Sequence, residues 1–117
     1  MSHVAAVFDG RTLKVFLNGK LSGQSELPQP HRPSRGPFAL GGFEGRDLFA
    51  GQIDEVRFSK SARYIQDFSP KPRFDPDADT LVLYHCDEGR GDELRDSSEN
   101  GLHGKIIGAN WVPVTGN

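Results

Sequence analysis

Several features are scarce in this sequence, and each scarcity removes support for a class of protein. Cys86 is the single cysteine, so no disulfide bond can form within the chain and the redox compartment cannot be read from it. No run of about 18 apolar residues occurs, so a membrane-spanning helix is not expected. Residues 1–3 lead directly into a predicted strand, so no signal peptide is expected in this chain. The net charge is only -2 and both signs are mixed along the chain, so nucleic acid is not an expected partner.

What the sequence does contain favours a sheet structure. Its 117 residues are the length of one domain, and 35% of them are hydrophobic, with 14 glycines and 8 prolines. A core with few apolar residues, spread over many short segments, is typical of a sheet with long loops, because a helix bundle needs sustained runs of Ala, Leu, Glu and Lys. We therefore predict a single all-β domain over residues 1–117.

The first 27 residues predict a three-stranded antiparallel meander. Two β-prone runs, residues 4–8 and 13–17, are joined by Asp9-Gly10-Arg11, and Asp-Gly between such runs is a strong hairpin signal. Asn18-Gly19 then favours a second tight turn, after which residues 20–27 are expected to pair with the preceding run. Three strands are about the minimum for a sheet that persists once one face is covered.

The remainder of the chain alternates loops with short predicted elements. The proline-rich stretch 28–37 is predicted to be a loop, and residues 48–59 a longer strand with a bulge at Asp54-Glu55. Residues 61–68 predict a short helix. The other predicted segments are a short strand at 38–40, an extended linker at 69–79, a strand at 80–86, and a last strand or pair of strands at 105–107 and 111–112.

Three of these segments resemble, in order, the second half of a laminin-G-like, concanavalin A-like jelly-roll domain. They are residues 3–10 (HVAAVFDG), 13–19 (LKVFLNG) and 51–59 (GQIDEVRFS). The resemblance implies an antiparallel two-sheet β-sandwich. Such domains are common in exported bacterial multi-domain proteins, where most are assigned to carbohydrate or protein recognition. The resemblance therefore implies an extracellular, periplasmic or cell-envelope location.

The C-terminal third is similar to the segment that normally opens such a domain. In this chain, the segment that resembles the start of the domain therefore comes after the segment that resembles its end. Residues 1–68 would correspond to the family's C-terminal half, 69–79 to a linker and 80–117 to the family's N-terminal strands. The family's middle strands have no counterpart. The chain is then a permuted arrangement, a truncated one, or the end of one domain joined to the start of another. A homo-oligomer, formed as a dimer or by exchange of strands, is expected to complete the sandwich.

The acids of residues 51–59 superficially resemble the carboxylate strand of laminarinase-like glycosidases. Gln52 occupies the nucleophile position, and Val56 or Arg57 occupies the acid/base position, and none of these side chains can take those roles. We therefore predict that the chain is not an enzyme. Asp54 is expected instead to accept backbone N–H bonds and hold a neighbouring loop.

An acidic, glycine-rich loop after residue 86 suggests calcium as a candidate ligand. Laminin-G-like domains often hold one calcium ion, and hard cations take oxygen ligands. The candidate metal ligands are Asp87, Asp92, Asp96 and Asn100. Their spacing does not match an EF-hand loop, and the alternative is that they form solvated turns. Cys86 is predicted to be a core residue, because strand alternation directs it and His85 to opposite faces.

The candidate ligand-binding residues are two aromatic residues and two arginines. Phe43 lies in a glycine-rich loop and Tyr64 on the predicted short helix, and the alternative for each is packing over the sheet edge. Arg32 and Arg35 lie in a loop that suits acidic glycans, a protein, or solvent equally. The leading hypothesis is a non-catalytic recognition module of a larger exported protein, which binds carbohydrate or protein through rim loops. The alternative is a structural or interaction domain that completes its sandwich by self-association and binds no sugar.

Overall fold

The first three strands form the predicted meander. The computed structural model describes residues 1–27, 38–42, 46 and 48–113. In it, β1 (Val4–Phe8), β2 (Thr12–Leu17) and β3 (Lys20–Glu26) form one antiparallel sheet in the order β1-β2-β3. The Asp9 carboxylate accepts the N–H groups of Arg11 (2.9 Å) and Thr12 (2.7 Å), which closes the first hairpin. The predicted meander is confirmed.

The turn between β2 and β3 is attached to a distant part of the chain. Asn18 and Gly19 both have positive φ, 52° and 84°, as a tight two-residue hairpin turn requires. The Gly19 carbonyl accepts the N–H of Phe68 (2.8 Å), and the Asp67 carboxylate accepts the N–H of Leu21 (2.8 Å). Residues 67–68 are therefore held against the end of the meander.

Two smaller antiparallel sheets follow. The strands β4 (Val56–Ser59) and β5 (Thr80–Tyr84) pair with each other, and β6 (Glu93–Leu94) pairs with β7 (Gly104–Lys105). No helix occurs among the described residues and every strand pair is antiparallel, so the predicted all-β class is confirmed. It follows that the described residues contain no helix able to cross a membrane.

The described core is small and lies on the inner face of the meander and along β5. Its buried side chains are Val7, Phe16, Phe74, Val82, Leu83 and Tyr84. The rings of Tyr64 and Phe68 stack with their centroids 3.6 Å apart, and the Phe68 ring lies 5.4 Å from that of Phe16. Fully burying such a side chain stabilises a fold by about 1.5–3 kcal/mol, and the half-buried rings of Tyr64 and Phe68 contribute part of that amount, which attaches their segment to the first sheet.

The predicted short helix over residues 61–68 is wrong. Its backbone groups bind other segments: the Ile65 carbonyl accepts a hydrogen bond from the Lys14 ammonium (3.1 Å), and the Phe68 N–H donates to Gly19. A segment of this length is also too short to form a helix without strong tertiary support. The contacts with the meander favour an irregular path here.

Several predicted strands are shorter than expected or not formed. The strand predicted over 48–59 is limited to β4, and its register irregularity lies between Phe58 and Ser59, not at Asp54-Glu55. A strand is stable only where a neighbour completes its hydrogen bonds, and in the described part of the chain β5 is the one strand beside β4. Residues 38–40 and 111–112 are not strands. The strand predicted at 80–86 is shortened to β5, and the one predicted at 105–107 overlaps β7 at Lys105 alone. The predicted loop 28–37 lies outside the described residues.

The outer face of the meander is apolar and exposed. Val4 lies opposite Leu17 and Ala6 opposite Val15, so these four side chains share one face. Val4 is 67% and Leu17 48% exposed, whereas Phe16, on the inner face, is fully buried. An exposed apolar surface of this kind is typical of an interaction site.

Candidate functional site

An open cleft lies between residues 57–64 and residues 68–79, with a volume of about 530 Å³. Its walls combine aromatic rings, cations and carboxylates, among them Arg57, Arg63, Tyr64, Lys71, Phe74 and Asp77. We call it the Tyr64 cleft. Its size lies within the range of sites for small ligands, and most of the residues that line it are polar or charged.

Tyr64 is the predicted ligand-binding residue that the structure places in this cleft. Its ring is half-buried by stacking on Phe68, and its hydroxyl accepts a hydrogen bond from Nη2 of Arg57 (2.7 Å). Tyr64 therefore has the cleft position expected of a ligand contact. It also has the packing expected if its role is to cover the sheet edge. Phe43, Arg32 and Arg35 lie outside the described residues.

One wall of the cleft is made rigid by Arg63. Its guanidinium donates two hydrogen bonds to the Asp77 carboxylate (2.7 and 2.6 Å), and it also donates to the hydroxyls of Ser59 and Thr80. The bonds from Arg63 hold the pKa of Asp77 well below its ordinary value, and Asp77 in turn raises the pKa of Arg63. Because Ser59 ends β4 and Thr80 begins β5, one side chain joins both strands to the cleft wall.

The floor of the cleft depends on Phe74. The Arg57 guanidinium lies 4.4 Å from the centroid of the Phe74 ring, within the range of a cation–π interaction. The Phe74 N–H donates to the carboxylate of Glu55 (2.9 Å), and the same carboxylate lies 2.8 Å from Nδ1 of His85. Glu55 thus holds a neighbouring loop, the role that the sequence predicts for Asp54.

The acidic loop after β5 is organised by Asp96. Its carboxylate accepts the N–H groups of Leu83 (2.9 Å), Ser98 (2.8 Å) and Leu102 (3.0 Å), and the Ser98 hydroxyl (2.7 Å). Burial by itself raises the pKa of Asp96, but these hydrogen bonds outweigh it and the pKa is lowered. The hydrogen bonds of Asp96 therefore hold the 96–102 loop against β5.

The other predicted calcium ligands also make contacts within the chain. Asp87 forms an ion pair with Arg73 (3.0 Å), and the Asn100 amide donates to the carbonyls of Thr80 (3.2 Å) and Leu81 (2.8 Å). Across the described residues, no group of three or more His, Cys, Asp or Glu side chains is placed to hold a metal ion. Calcium binding by Asp87, Asp92, Asp96 and Asn100 stays a prediction.

Cys86, which the sequence predicts to be a core residue, is half-buried immediately after β5. Burial, reinforced by nearby carboxylates, raises the pKa of its thiol to about 11. The thiol is therefore protonated at neutral pH and is a weak nucleophile there.

The charged residues of the cleft, among them Arg63 and Asp77, were not predicted from the sequence. Arg63 and Asp77 are 14 residues apart, and no periodic pattern relates them. One local signal was available: the Asp77 carboxylate accepts the N–H of Asp79 and the Thr80 hydroxyl (both 3.0 Å), an Asx-type turn that Asp and Thr at this spacing favour.

Comparison with known protein families decides where the chain belongs. A family model of laminin G type, described as the concanavalin A-like lectin/glucanases superfamily, matches residues 1–67, more than half of the 117 residues. The chain belongs to this superfamily. Comparisons with curated proteins and with solved structures gave no match.

The matched part of this concanavalin A-like chain contains the meander, β4 and the Tyr64 segment. Residues 68–79, which form the opposite side of the cleft, and β5 to β7 lie beyond the match. The cleft is therefore built jointly from the part of the chain that defines the superfamily and from the part that follows it.

Proposed function

We propose that the chain is a non-catalytic recognition module that binds a ligand in the Tyr64 cleft. The observation that carries the proposal is that Tyr64, Arg57 and Lys71 all line one concave surface. Membership of the concanavalin A-like superfamily supports a binding role for carbohydrate or protein. Fold alone does not specify a ligand, so the class of ligand is inferred from the side chains of the cleft.

The dimensions of the cleft favour carbohydrate over protein as its ligand. A volume of about 530 Å³ is that of a small-molecule site, whereas protein partners use broad and flatter surfaces. Lys71 and Asp75 are exposed and can donate to, or accept from, hydroxyl groups, and the aromatic walls offer apolar contact to a sugar ring. A short glycan combines these chemistries.

The state of one cleft carboxylate, that of Asp77, supports a role without catalysis. Asp77 is held ionised by Arg63, since its pKa lies well below the ordinary value, so it cannot donate a proton to a leaving group at neutral pH. A retaining or inverting glycosidase needs one carboxyl group that remains protonated. Gln52, at the position that resembles the nucleophile, is exposed and precedes β4.

A glycan array probed with the full chain, followed by calorimetry on the positive sugars, tests the proposal. We expect Tyr64→Phe and Lys71→Ala each to weaken binding by about tenfold, the loss of one hydrogen bond to a ligand. Lys60→Ala, an exposed cation that does not line the cleft, is the control and should leave the affinity unchanged. Binding that both cleft variants retain in full would place the ligand elsewhere, and no signal on any glycan would reject the sugar ligand.

The alternative function is a structural or interaction domain that self-associates and binds no sugar. The exposed outer face of the meander favours it. As the resemblance implies, we place either function in an exported bacterial protein, in the periplasm, the cell envelope or outside the cell. Calcium is proposed as an accessory ligand at the loop of Asp87, Asp92, Asp96 and Asn100, and a titration without heat at millimolar calcium would end that proposal.

A further inference from the structure

His3 lies behind the wall of the Tyr64 cleft. Its ring meets those of Phe68, Phe74 and Tyr64 at nearly right angles, with centroids 5.6, 5.7 and 6.4 Å away. These three residues line the cleft, whereas His3 does not. One imidazole therefore supports three aromatic residues of the cleft wall.

The backbone of His3 is fixed on both sides by Asn18. The His3 N–H donates to Oδ1 of Asn18 (2.9 Å), and the His3 carbonyl accepts the N–H of Asn18 (2.7 Å). The next residue of the turn, Gly19, accepts the N–H of Phe68. Because one turn holds both His3 and the neighbouring segment, the imidazole can leave the rings only if its own side chain rotates or a ring is displaced.

The surroundings of the His3 ring favour its neutral form. Nδ1 is buried and has no hydrogen-bond partner among the described residues, and no carboxylate in that part of the chain forms an ion pair with His3. The charged group that acts on the ring is the Arg57 guanidinium of β4, which has the same sign as a protonated imidazole. Burial, and then the charge of Arg57, lower the pKa of His3.

Arg57 links the charge of His3 to the cleft. Its guanidinium lies 4.4 Å from the centroid of the Phe74 ring and donates to the hydroxyl of Tyr64 (2.7 Å), the titratable side chain that residues 61–68 bring against His3. Both partners of Arg57 are thus rings that also contact His3. A positive charge on His3 repels Arg57 from the position in which it holds these two rings.

Among the described residues, nothing neutralises a positive charge on His3. The acid next to this cluster, Glu55, accepts the N–H of Phe74 and lies 2.8 Å from Nδ1 of His85, so its carboxylate is already engaged. Aromatic faces attract cations, but Arg57 already lies over the Phe74 ring. Because burial of an unpaired charge costs more than such a contact contributes, a protonated imidazole leaves its place among the rings.

We propose that His3 is the pH switch of the Tyr64 cleft: while it is neutral, the three rings and Arg57 form the wall, and its protonation separates the imidazole from them and disrupts the wall. The cleft then binds its ligand near neutral pH and loses it in mild acid. For the existence of that ligand the inference rests on the proposed function, but the wall changes in the ligand-free chain as well.

The pH range and size of the effect follow from one proton. An imidazole released from the rings has its ordinary pKa, near 6.5, whereas the pKa of the packed imidazole is lowered. The preference for the packed arrangement is therefore complete above about pH 6.5 and is lost progressively as the pH falls toward the lowered value. Between pH 7.5 and pH 5, the ratio of released to packed imidazole rises by up to about 30-fold.

Proton NMR of the ligand-free full chain at pH 7.5 and pH 5 tests the switch. We expect nuclear Overhauser contacts from the His3 ring to Phe68 and Phe74 at pH 7.5, and their loss at pH 5. The contact between Phe16 and Phe68, whose ring centroids are 5.4 Å apart, does not involve His3 and should persist. Contacts that survive on a protonated His3, a His3 that stays neutral at pH 5, or loss of the Phe16 contact as well, which means general unfolding, would each overturn the proposal.

His3→Phe keeps an aromatic ring among the others but cannot take up a proton. In this variant the ring contacts of Tyr64 should be the same at both pH values. The matched control is His103→Asn, because His103 is exposed, does not line the cleft, and accepts the Asp96 N–H through Nδ1, a role that the asparagine oxygen can take over. The control should keep the pH dependence of the wild type, and loss of that dependence in His103→Asn but not in His3→Phe contradicts the assignment.

A glycan array run at pH 7.5 and pH 5 connects the switch to binding. Each glycan that the wild type binds at pH 7.5 should bind up to about 30-fold more weakly at pH 5, whereas His3→Phe should bind it equally at the two pH values. Equal wild-type affinity at both pH values refutes the switch. An array without signal at either pH rejects the proposed function, and the NMR contacts of His3 then decide by themselves whether protonation disrupts the wall.

Discussion

The Glu55 carboxylate lies 2.8 Å from Nδ1 of His85, and their side chains are only 9% and 11% exposed. The two residues are 30 apart in the sequence, and the same carboxylate accepts the N–H of Phe74. One acid thus connects the segment before β4, the residue after β5 and the floor of the Tyr64 cleft. Removing the Glu55 carboxylate should therefore destabilise all three of these regions.

Breaking this pair should destabilise the chain strongly. We expect Glu55→Ala to lower the free energy of unfolding by about 3 kcal/mol, because it leaves a buried imidazole and a buried N–H without their acceptor. The double variant Glu55→Ala/His85→Ala should cost less than the sum of the two single variants. Urea unfolding measures all three, with Asp54→Ala, the adjacent acid, as control. Strict additivity would mean that the two side chains do not interact.

Gly19 should tolerate a side chain much less well than Gly10. Both have positive φ, 84° and 97°, so alanine carries a similar backbone cost of about 1–2 kcal/mol at each. A Cβ at Gly19 would overlap the carbonyl of Phe68, whereas at Gly10 nothing lies within 4 Å. Thermal unfolding should therefore show a clearly larger loss for Gly19→Ala than for Gly10→Ala. Equal losses would show that residues 67–68 are not held against the turn.

Asp96 should make the chain sensitive to acid. Asp96→Asn removes the acceptor for about half of the four hydrogen bonds, so we expect a loss of about 1–3 kcal/mol at pH 7. Because the pKa of Asp96 is lowered in the folded chain, its stabilising effect is present above about pH 4 and is lost as the pH falls through the folded value. The difference between wild type and variant should shrink toward pH 2. Ser97→Ala, an exposed neighbour, should match the wild type at each pH.

His3 should make stability fall as the pH is lowered from about 7 to 5. Burial among aromatic rings, and then the charge of Arg57, lower the pKa of His3, so the unfolded chain binds the proton first, near pH 6.5. Nδ1 of His3 is buried without a hydrogen-bond partner, and phenylalanine in its place leaves no polar atom there. His3→Phe should therefore be more stable, relative to wild type, at pH 5 than at pH 7. Parallel pH profiles would contradict this role for His3.

The parts of the fold that the sequence predicted well are those specified by neighbouring residues. The meander follows from β-prone runs separated by Asp9-Gly10 and Asn18-Gly19, and these turns place each strand beside the next. The predicted helix at 61–68 failed for the opposite reason. Contacts with Lys14 and Gly19, which are more than 40 residues away, determine the path of that segment.

The candidate site was predicted only at Tyr64. An aromatic residue outside an apolar run can be suspected from its surroundings in the sequence, but the pairing of Arg63 with Asp77 and of Glu55 with His85 requires β4 to lie beside β5. Nothing in the spacing of these four residues predicts that pairing. Charged partners that meet across two strands are visible only once the strands are placed.

By itself the sequence determined the all-β class and the meander, because local turn chemistry and short apolar runs act within a few residues of one another, and its resemblance to known domains indicated the superfamily. Only the tertiary structure decided that Thr80–Tyr84 pairs with Val56–Ser59, that Glu55 and not Asp54 holds the neighbouring loop, and that a cleft forms beside Tyr64. The physical reason is that buried charges and strand edges are satisfied by whichever groups the fold brings near them, at any distance along the chain.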